Sequence, residues 1–271
     1  DEDTLDTWFS SGLWTFSTLG WPNETDDFKT FHPTDILETG YDILPFWVMR
    51  MILMTTYHVG QIPFKTVFLH GLVRDEKNRK MSKSLGNIID PLDMIAKYGT
   101  DALRFALVFN TAPGTDMALA EDKIKGMKHF GNKLWNIARF VLANIDSDTP
   151  KIKYQTITPA DELMRTKLLS SKLETQEYME KMQLHSAAQT LYDFVWKEFA
   201  DVYIEASKAQ LLDEATKTNT QALLLQSLIQ SLKLLHPFMP FLTEVLWQKL
   251  HKAKLVEEPL LMVTAWPDSK E

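Results

Sequence analysis

An α/β unit followed by an all-α one is the fold class that these 271 residues predict. Strand-like stretches ending on glycine alternate with helical spacing through the first hundred residues. From about residue 119 onward, apolar residues step by threes and fours through one long stretch after another. A chain of this length is also long for a single core, so two domains are expected, residues 1–118 and residues 119–271.

The elements follow in order. Ile36 to Gly40 reads as a short strand. After it, Ile43, Phe46, Trp47, Met51, Met54 and Tyr57 keep helical spacing, and Gly60 is the expected stop. Phe64 to His70 reads as a second strand, again ending on a glycine, Gly71. Strands of this kind pair in parallel beneath helices. Ligands of open α/β sheets gather where strands end, which points to Gly40–Ile43 and His70–Arg74. Ile124, Met127, Gly131, Leu134, Ala138, Val141 and Ile145 then mark one face of a long helix. Further helices are expected over 160–182, 184–209, 219–235 and 239–251, five in all, with polar connections at 146–150 and 213–219. Pro237 should end the fourth of these five and Pro240 should sit in the first turn of the fifth, making an antiparallel bundle.

Composition narrows the function classes. The chain has no cysteine, which excludes disulfides and thiolate metal sites. No apolar run reaches the ~18 residues of a membrane span and no signal-peptide pattern opens the chain, so a soluble cytoplasmic protein is expected. The opening residue is Asp1, which suggests a cut or processed chain. The net charge of −7 is unevenly spread: residues 1–42 hold one lysine against ten acids, and the remainder is slightly basic. Between Arg74 and Lys83 five bases stand against two acids. Such a cluster reads equally as a solvated loop or as a polyanion contact.

The sharpest signal lies in that cluster. Lys80-Met81-Ser82-Lys83-Ser84 puts two ammonium groups and two hydroxyls on a loop beyond a strand end. That chemistry suits a triphosphate whose charge moves onto a departing pyrophosphate. The five residues match the K-M-S-K-S signature of class I aminoacyl-tRNA synthetases, and the chain resembles that family over nearly its whole length. Phe68 to Val73 is similar to the strand and turn that present backbone groups to adenine. Gly86-Asn87 through Asp90-Pro91, and Tyr98 to Arg104, resemble the link to the helical domain. Lys133 to Asn136 and His236 to Phe241 resemble helices of the anticodon-binding domain in the isoleucine/valine/leucine subclass.

The resemblance implies the second half of a Rossmann-like catalytic domain followed by a helical anticodon-binding bundle. It implies Lys80 and Lys83 as catalytic residues, and Gly40, Asp42, His70, Gly71, Met81, Ser82, Lys83 and Ser84 as ATP-binding. Mg²⁺ is expected with ATP and no protein-bound metal site is implied. Asp6 to Ser11, Phe16 to Pro22 and Thr39 to Ile43 resemble the members that handle valine, whereas isoleucine members usually carry Asp-Gln where Asp42-Ile43 stands. Trp8 and Ile43 would then wall a valine pocket; the alternative is that they are core residues. Asp42 would face the ribose, a role compatible with capping a helix. The implied partners are valine, ATP and valine tRNA. His32, His58, His129, His185, His236 and His251 form no ligand-spaced pair and read as structural.

The family's other signature, H-I-G-H, does not occur in these residues. Part of the ATP site, the amino-group pocket, the editing domain and a C-terminal coiled coil are therefore expected to lie outside the chain, which alone should not form an adenylate. Two other readings stand beside this one: a sibling ligase for isoleucine or leucine, and a stand-alone tRNA-binding module without catalysis.

Overall fold

The computed structural model describes residues 2–146, 148–149 and 153–267. Asp1 lies outside the described residues, as do Ser147 and Pro150 of the expected polar connection. The chain forms two compact units, Asp1–Arg74 with Pro113–Ala118, and Asp75–Ala112 with Leu119–Glu271.

The first unit opens with α1 (Thr7–Ser17), started by Asp6, whose carboxylate accepts the Trp8 N–H at 2.7 Å. Such a cap contributes about 1 kcal/mol. A short α2 (Asp26–Phe31) is capped in the same way by Thr25. Strand β1 (Thr34–Gly40) pairs in parallel with β2 (Phe64–His70), with Leu37 opposite Val67 and Gly40 opposite His70. Between them lies α3 (Met49–Val59), which ends on Gly60 in the left-handed region at φ 76°. Leu37, Val48, Met51 and Phe64 form the core beneath this crossover. A buried hydroxyl pair, Thr15 and Thr55 at 2.7 Å, ties α1 to α3. The two-residue strands β3 (Val73–Arg74) and β4 (Met117–Ala118) form a second parallel pair.

The helix expected from Ile43 to Tyr57 is not one continuous α-helix. A 3₁₀ turn (Tyr41–Ile43) and a π-type turn (Leu44–Val48) precede α3. Pro45 sits in the wide turn and has no N–H to donate. A π turn shifts the helical phase relative to an α-helix. Val48, Met51 and Thr55 face the core, Phe46 in the wide turn is exposed, and Tyr57, about 120° round α3 from Met51, is exposed as well.

The second unit contains α4 (Pro91–Tyr98), α5 (Thr100–Val108), α6 (Glu121–Asn144), α7 (Pro159–Glu180), α8 (Leu184–Asp193), α9 (Ile204–Gln210), α10 (Lys217–Leu235) and α11 (Pro240–Lys252). A π-type stretch, Phe194–Tyr203, joins α8 to α9, so the expected helix over 184–209 is helical throughout but not uniformly α. α7 begins with a full capping box: the Thr158 hydroxyl accepts from Asp161 N–H while the Asp161 carboxylate reaches back. Fourteen of the nineteen residues of α10 are buried, which makes it the central helix of the bundle. Phe105 stacks on Phe130 in the core at 5.2 Å, and Phe130 meets the tilted ring of the partly buried Tyr192 at 4.8 Å. Pro240 opens α11, as its position suggested. The first turn of α11 has no side-chain cap of its own. The buried Asp101 of α5 supplies one, accepting the N–H groups of Phe241 and Leu242. No helix among the described residues is long and apolar enough to cross a membrane.

Candidate functional site

In the first unit, the parallel register puts Gly40 opposite His70, so the two strand ends meet side by side. His70 is held at both ring nitrogens: Nδ1 lies 2.8 Å from the Gly71 carbonyl and Nε2 3.2 Å from the Glu38 carboxylate. Gly40 is buried, and a β-carbon there would stand 2.7 Å from Asp42 Oδ1 and 3.5 Å from His70 Cε1. At Gly71 a β-carbon would overlap the Thr115 carbonyl and the Asp116 N–H. Close approach of backbone requires a glycine at position 71, whereas at position 40 the near neighbour is the tip of an exposed side chain. Asp42 caps no helix: it lies exposed inside the 3₁₀ turn, and no hydrogen bond among the described residues engages its carboxylate.

Sequence reasoning missed Asp116. Its carboxylate accepts from the Leu72 N–H at 2.8 Å, from the Tyr41 hydroxyl at 3.0 Å and from the Arg74 guanidinium. It thereby joins the turn after β1 to the turn after β2. These donors, led by the Leu72 N–H and Arg74, hold its carboxyl below the usual carboxylate range. Only the return of the chain through β4 brings Asp116 here, so local sequence carried no signal for it.

Trp8 and Ile43 are both partly exposed. The Trp8 ring lies 6.5 Å from that of Phe46, within the wide turn that follows Ile43. Neither is a fully buried core residue.

The second unit holds the signature loop. Ser82 N-caps a 3₁₀ turn, Lys83–Leu85, and its hydroxyl meets that of Ser84 at 3.1 Å. Gly86 closes the turn at φ 62°. Lys80 and Lys83 are exposed, and neither ammonium forms an ion pair among the described residues. The basic cluster thus divides in its use. Arg74 pairs with Asp116 and Arg79 with Asp75, while Lys80 and Lys83 have no counter-charge of their own.

A second site in the bundle was not singled out by sequence. A cleft of about 800 Å³ runs along α6 and α11, lined by Trp135, Arg139, Phe140, Asn144, Leu246 and Lys249 among others. The Lys249 ammonium stands over the Trp135 ring, 5.2 Å from its centroid. An aromatic face flanked by cations suits stacking of an unpaired base beside its phosphate. The spacing of Trp135 and Arg139 was visible as one turn of helix; the contribution of Lys249, more than a hundred residues later, was not.

Residues 1–120 match the family model described as tRNA synthetases class I (I, L, M and V), and residues 161–271 match the anticodon-binding domain of tRNA ligase. The chain belongs to the class I tRNA synthetases. It is 47% identical over 276 residues to the valine–tRNA ligase of Clostridium tetani, covering 100% of this chain and 31% of that protein. The valine–tRNA ligase of Symbiobacterium thermophilum is 50% identical over 254 residues, 92% of this chain and 28% of that protein. The chain therefore spans about a third of the length of the curated relatives it matches. The fold is shared with a solved leucine synthetase, LeuRS agnB2 of Agrobacterium radiobacter K84 in complex with tRNA and LeuAMS. That match has a TM-score of 0.77 at 21% identity, over 98% of this chain and 33% of the other. A Mycobacterium tuberculosis methionyl-tRNA synthetase in complex with methionyl-adenylate gives 0.75 at 20% identity, over 89% of this chain and 49% of the other. These folds confirm the α/β half followed by a helical domain in this synthetase family.

Proposed function

We propose that this chain is the later part of the catalytic domain, residues 1–118, with the anticodon-binding bundle, residues 119–271, of a valine–tRNA ligase working in the cytoplasm. The observation that carries the reading is near-50% identity to valine–tRNA ligases across almost every residue of the chain. Two steps follow. The valine carboxylate attacks the α-phosphate of ATP, forming valyl-adenylate and releasing pyrophosphate. A terminal ribose hydroxyl of valine tRNA then attacks the valyl carbonyl, takes the acyl group and releases AMP. Mg²⁺ enters with ATP as part of the substrate, bound by the phosphates.

Lys80 and Lys83 are the catalytic residues of the first step. Their unpaired ammonium groups suit charge that develops on the departing pyrophosphate, and fixed cations lower the barrier in proportion to that development. Met81, Ser82 and Ser84 complete the phosphate side of the ATP site. Gly40, His70 and Gly71 form the nucleoside side, where the two strand ends present backbone groups to the base, and the free Asp42 carboxylate accepts from the ribose hydroxyls. Trp8 and Ile43 wall the valine pocket. The cleft of Trp135, Arg139 and Lys249 takes an unpaired base of the tRNA.

The test is amino-acid-dependent ATP–pyrophosphate exchange by the full-length ligase with valine, threonine and isoleucine. An apolar pocket excludes a larger side chain but rejects an isosteric hydroxyl poorly, by about 10²-fold. Valine should be preferred, threonine activated detectably and isoleucine excluded. Ile43→Ala should raise isoleucine activation by ~10-fold or more, because the vacated volume is only partly refilled. A ligase that prefers isoleucine would end the assignment.

A further inference from the structure

The signature loop has no core to hold it. Leu85 and Ile88 beside it are 62% and 49% exposed, and its two lysines project without counter-charges. Two unpaired ammonium groups on an unsupported backbone would sample many positions, and a cation is useful to a transition state only where charge appears. Something other than apolar packing must set the shape of residues 80–84.

The hydrogen bonds of this region converge on two side chains. Asp75 is 4% exposed, although it is a carboxylate on a surface turn. Its Oδ1 accepts the Lys77 N–H at 3.0 Å and the Arg79 N–H at 2.8 Å, closing the turn in which Asn78 takes a φ of 60°. Its Oδ2 accepts from Arg79, at Nε (2.8 Å) and Nη2 (2.7 Å), and from Asn87 Nδ2 at 2.9 Å. Asn87 in turn grips the loop from its far end. Its Oδ1 accepts the Ser82 N–H at 3.0 Å and its Nδ2 donates to the Lys80 carbonyl at 3.2 Å. One amide thus pins the backbone on both sides of Met81, and one buried carboxylate pins that amide. Together these donors, Asn87 first, hold the Asp75 carboxyl far below its ordinary range, so it remains an acceptor at any working pH.

We propose that Asp75 and Asn87 are positioning residues for adenylate formation, a strut that presents Lys80 and Lys83 in one geometry by bracing the loop at residues 80 and 82. The proposal rests on the ligase reading for its chemistry and on the hydrogen bonds for its mechanics. Neither residue touches ATP; each acts through the lysines.

Three variants of the full-length ligase test it. Asp75→Asn keeps Oδ1 for the two turn N–H groups but sets an N–H against the donors of Arg79 and Asn87. Asn87→Asp sets a carboxylate against a carboxylate. The double variant restores a donor–acceptor pair with the roles exchanged, a double-mutant cycle on one contact. Each single change should lower kcat of valine-dependent ATP–pyrophosphate exchange by ~10-fold or more, with KM for ATP within about threefold. Transfer from preformed valyl-adenylate to tRNA should be unchanged, and trypsin should cut faster after Lys80 and Lys83. The double variant should lose clearly less than the product of the two single losses, because only the bond between positions 75 and 87 returns while those to Arg79 and to the Lys80 carbonyl do not. The strut is refuted if the single variants stay within about twofold of the parent in kcat. It is equally refuted if the double variant shows the product of the two single losses, or if exchange and transfer decline together with Tm. If the ligase activates another amino acid, the valine reading fails, while the same ratios measured with that amino acid, and the tryptic rates, still decide the strut.

Discussion

The two units use their polar residues differently. In the first, two candidate site residues are also bound into the strand ends: His70 is tied to Glu38 and Gly71, and Gly71 leaves room that the Thr115 backbone fills. In the second, the candidate groups are surplus to folding. Lys80, Lys83 and Arg139 are exposed without an ion pair among the described residues, and Lys249 only leans on a ring at the surface. The closed core of the bundle lies elsewhere, around α10. A site built from surplus groups can lose function without losing structure; a site built into strand ends cannot. Exposed apolar side chains follow the same division, with Trp14, Phe46, Ile52, Leu53 and Tyr57 concentrated on the smaller first unit.

The largest expected effect tests that contrast directly. Lys83→Ala in the full-length ligase should lower kcat by ~10²-fold with a smaller change in KM for valine, and leave Tm where it was. A kcat within about twofold of the parent would remove Lys83 from the catalytic residues. Gly71→Ala should behave oppositely: its β-carbon meets the Thr115 carbonyl, and overpacking of this kind costs about 1–3 kcal/mol, read as a fall in Tm alongside lost exchange. If Gly71→Ala unfolds at the parent's temperature, the strand ends are not built as tightly as described.

Next in size is the bundle cleft. Trp135→Ala should weaken binding of valine tRNA by ~10-fold, the worth of one base stacked on an aromatic ring. Lys249→Ala should weaken it less, and flatten the dependence of log K on log salt by about one unit. Residues 119–271 hold 19 bases and 20 acids, so contacts must be local and binding salt-sensitive. Filter binding across a salt series reads both, and tight, salt-indifferent binding would contradict the assignment.

The smallest effect is a pH dependence. Burial lowers the pKa of His236, against opposing pulls from Glu244 and Asp101, while Nδ1 pairs with the Thr243 hydroxyl. The folded state therefore binds its proton less readily than the unfolded state. This contribution is complete above the unfolded value, about 6.5, and is lost as pH falls below it. Thermal melts between pH 7.5 and 5 should show a falling Tm that His236→Gln makes shallower; identical slopes would exclude the histidine.

The long helices from residue 119 onward were legible because they carry apolar stripes and end signals, such as the Pro240 that opens α11, whereas α4 and α5 lie in a stretch that read only as a link. Both long strands were legible from their glycine ends. The run from Ile43 to Tyr57 keeps its helix and its stop at Gly60, but the π turn at its start and the drift of steps of three round a regular helix carry Phe46 and Tyr57 out to solvent, which spacing alone did not reveal. For the site, the five-residue loop announced itself as a contiguous motif, whereas Asp116 and Lys249 come to their places only through long-range folding. Asp75 stood inside the basic cluster and was counted merely as an acid, because burial, not sequence, makes it a hub.

The cap that Asp101 lends to α11 has a consequence in time. The N–H groups it receives lie 140 and 141 residues further along the chain. During synthesis α5 emerges long before α11 exists, and until then its carboxylate must remain hydrated. Burial pushes that carboxyl above its usual range even with both donors in place, so enclosing it without them would be costlier still. The bundle consequently has a late closing step: non-local contacts are made only after the loop between them has been closed. A ribosome that stalls before residue 242 holds a chain in which α5 can pack on α6 while its carboxylate still waits for two donors.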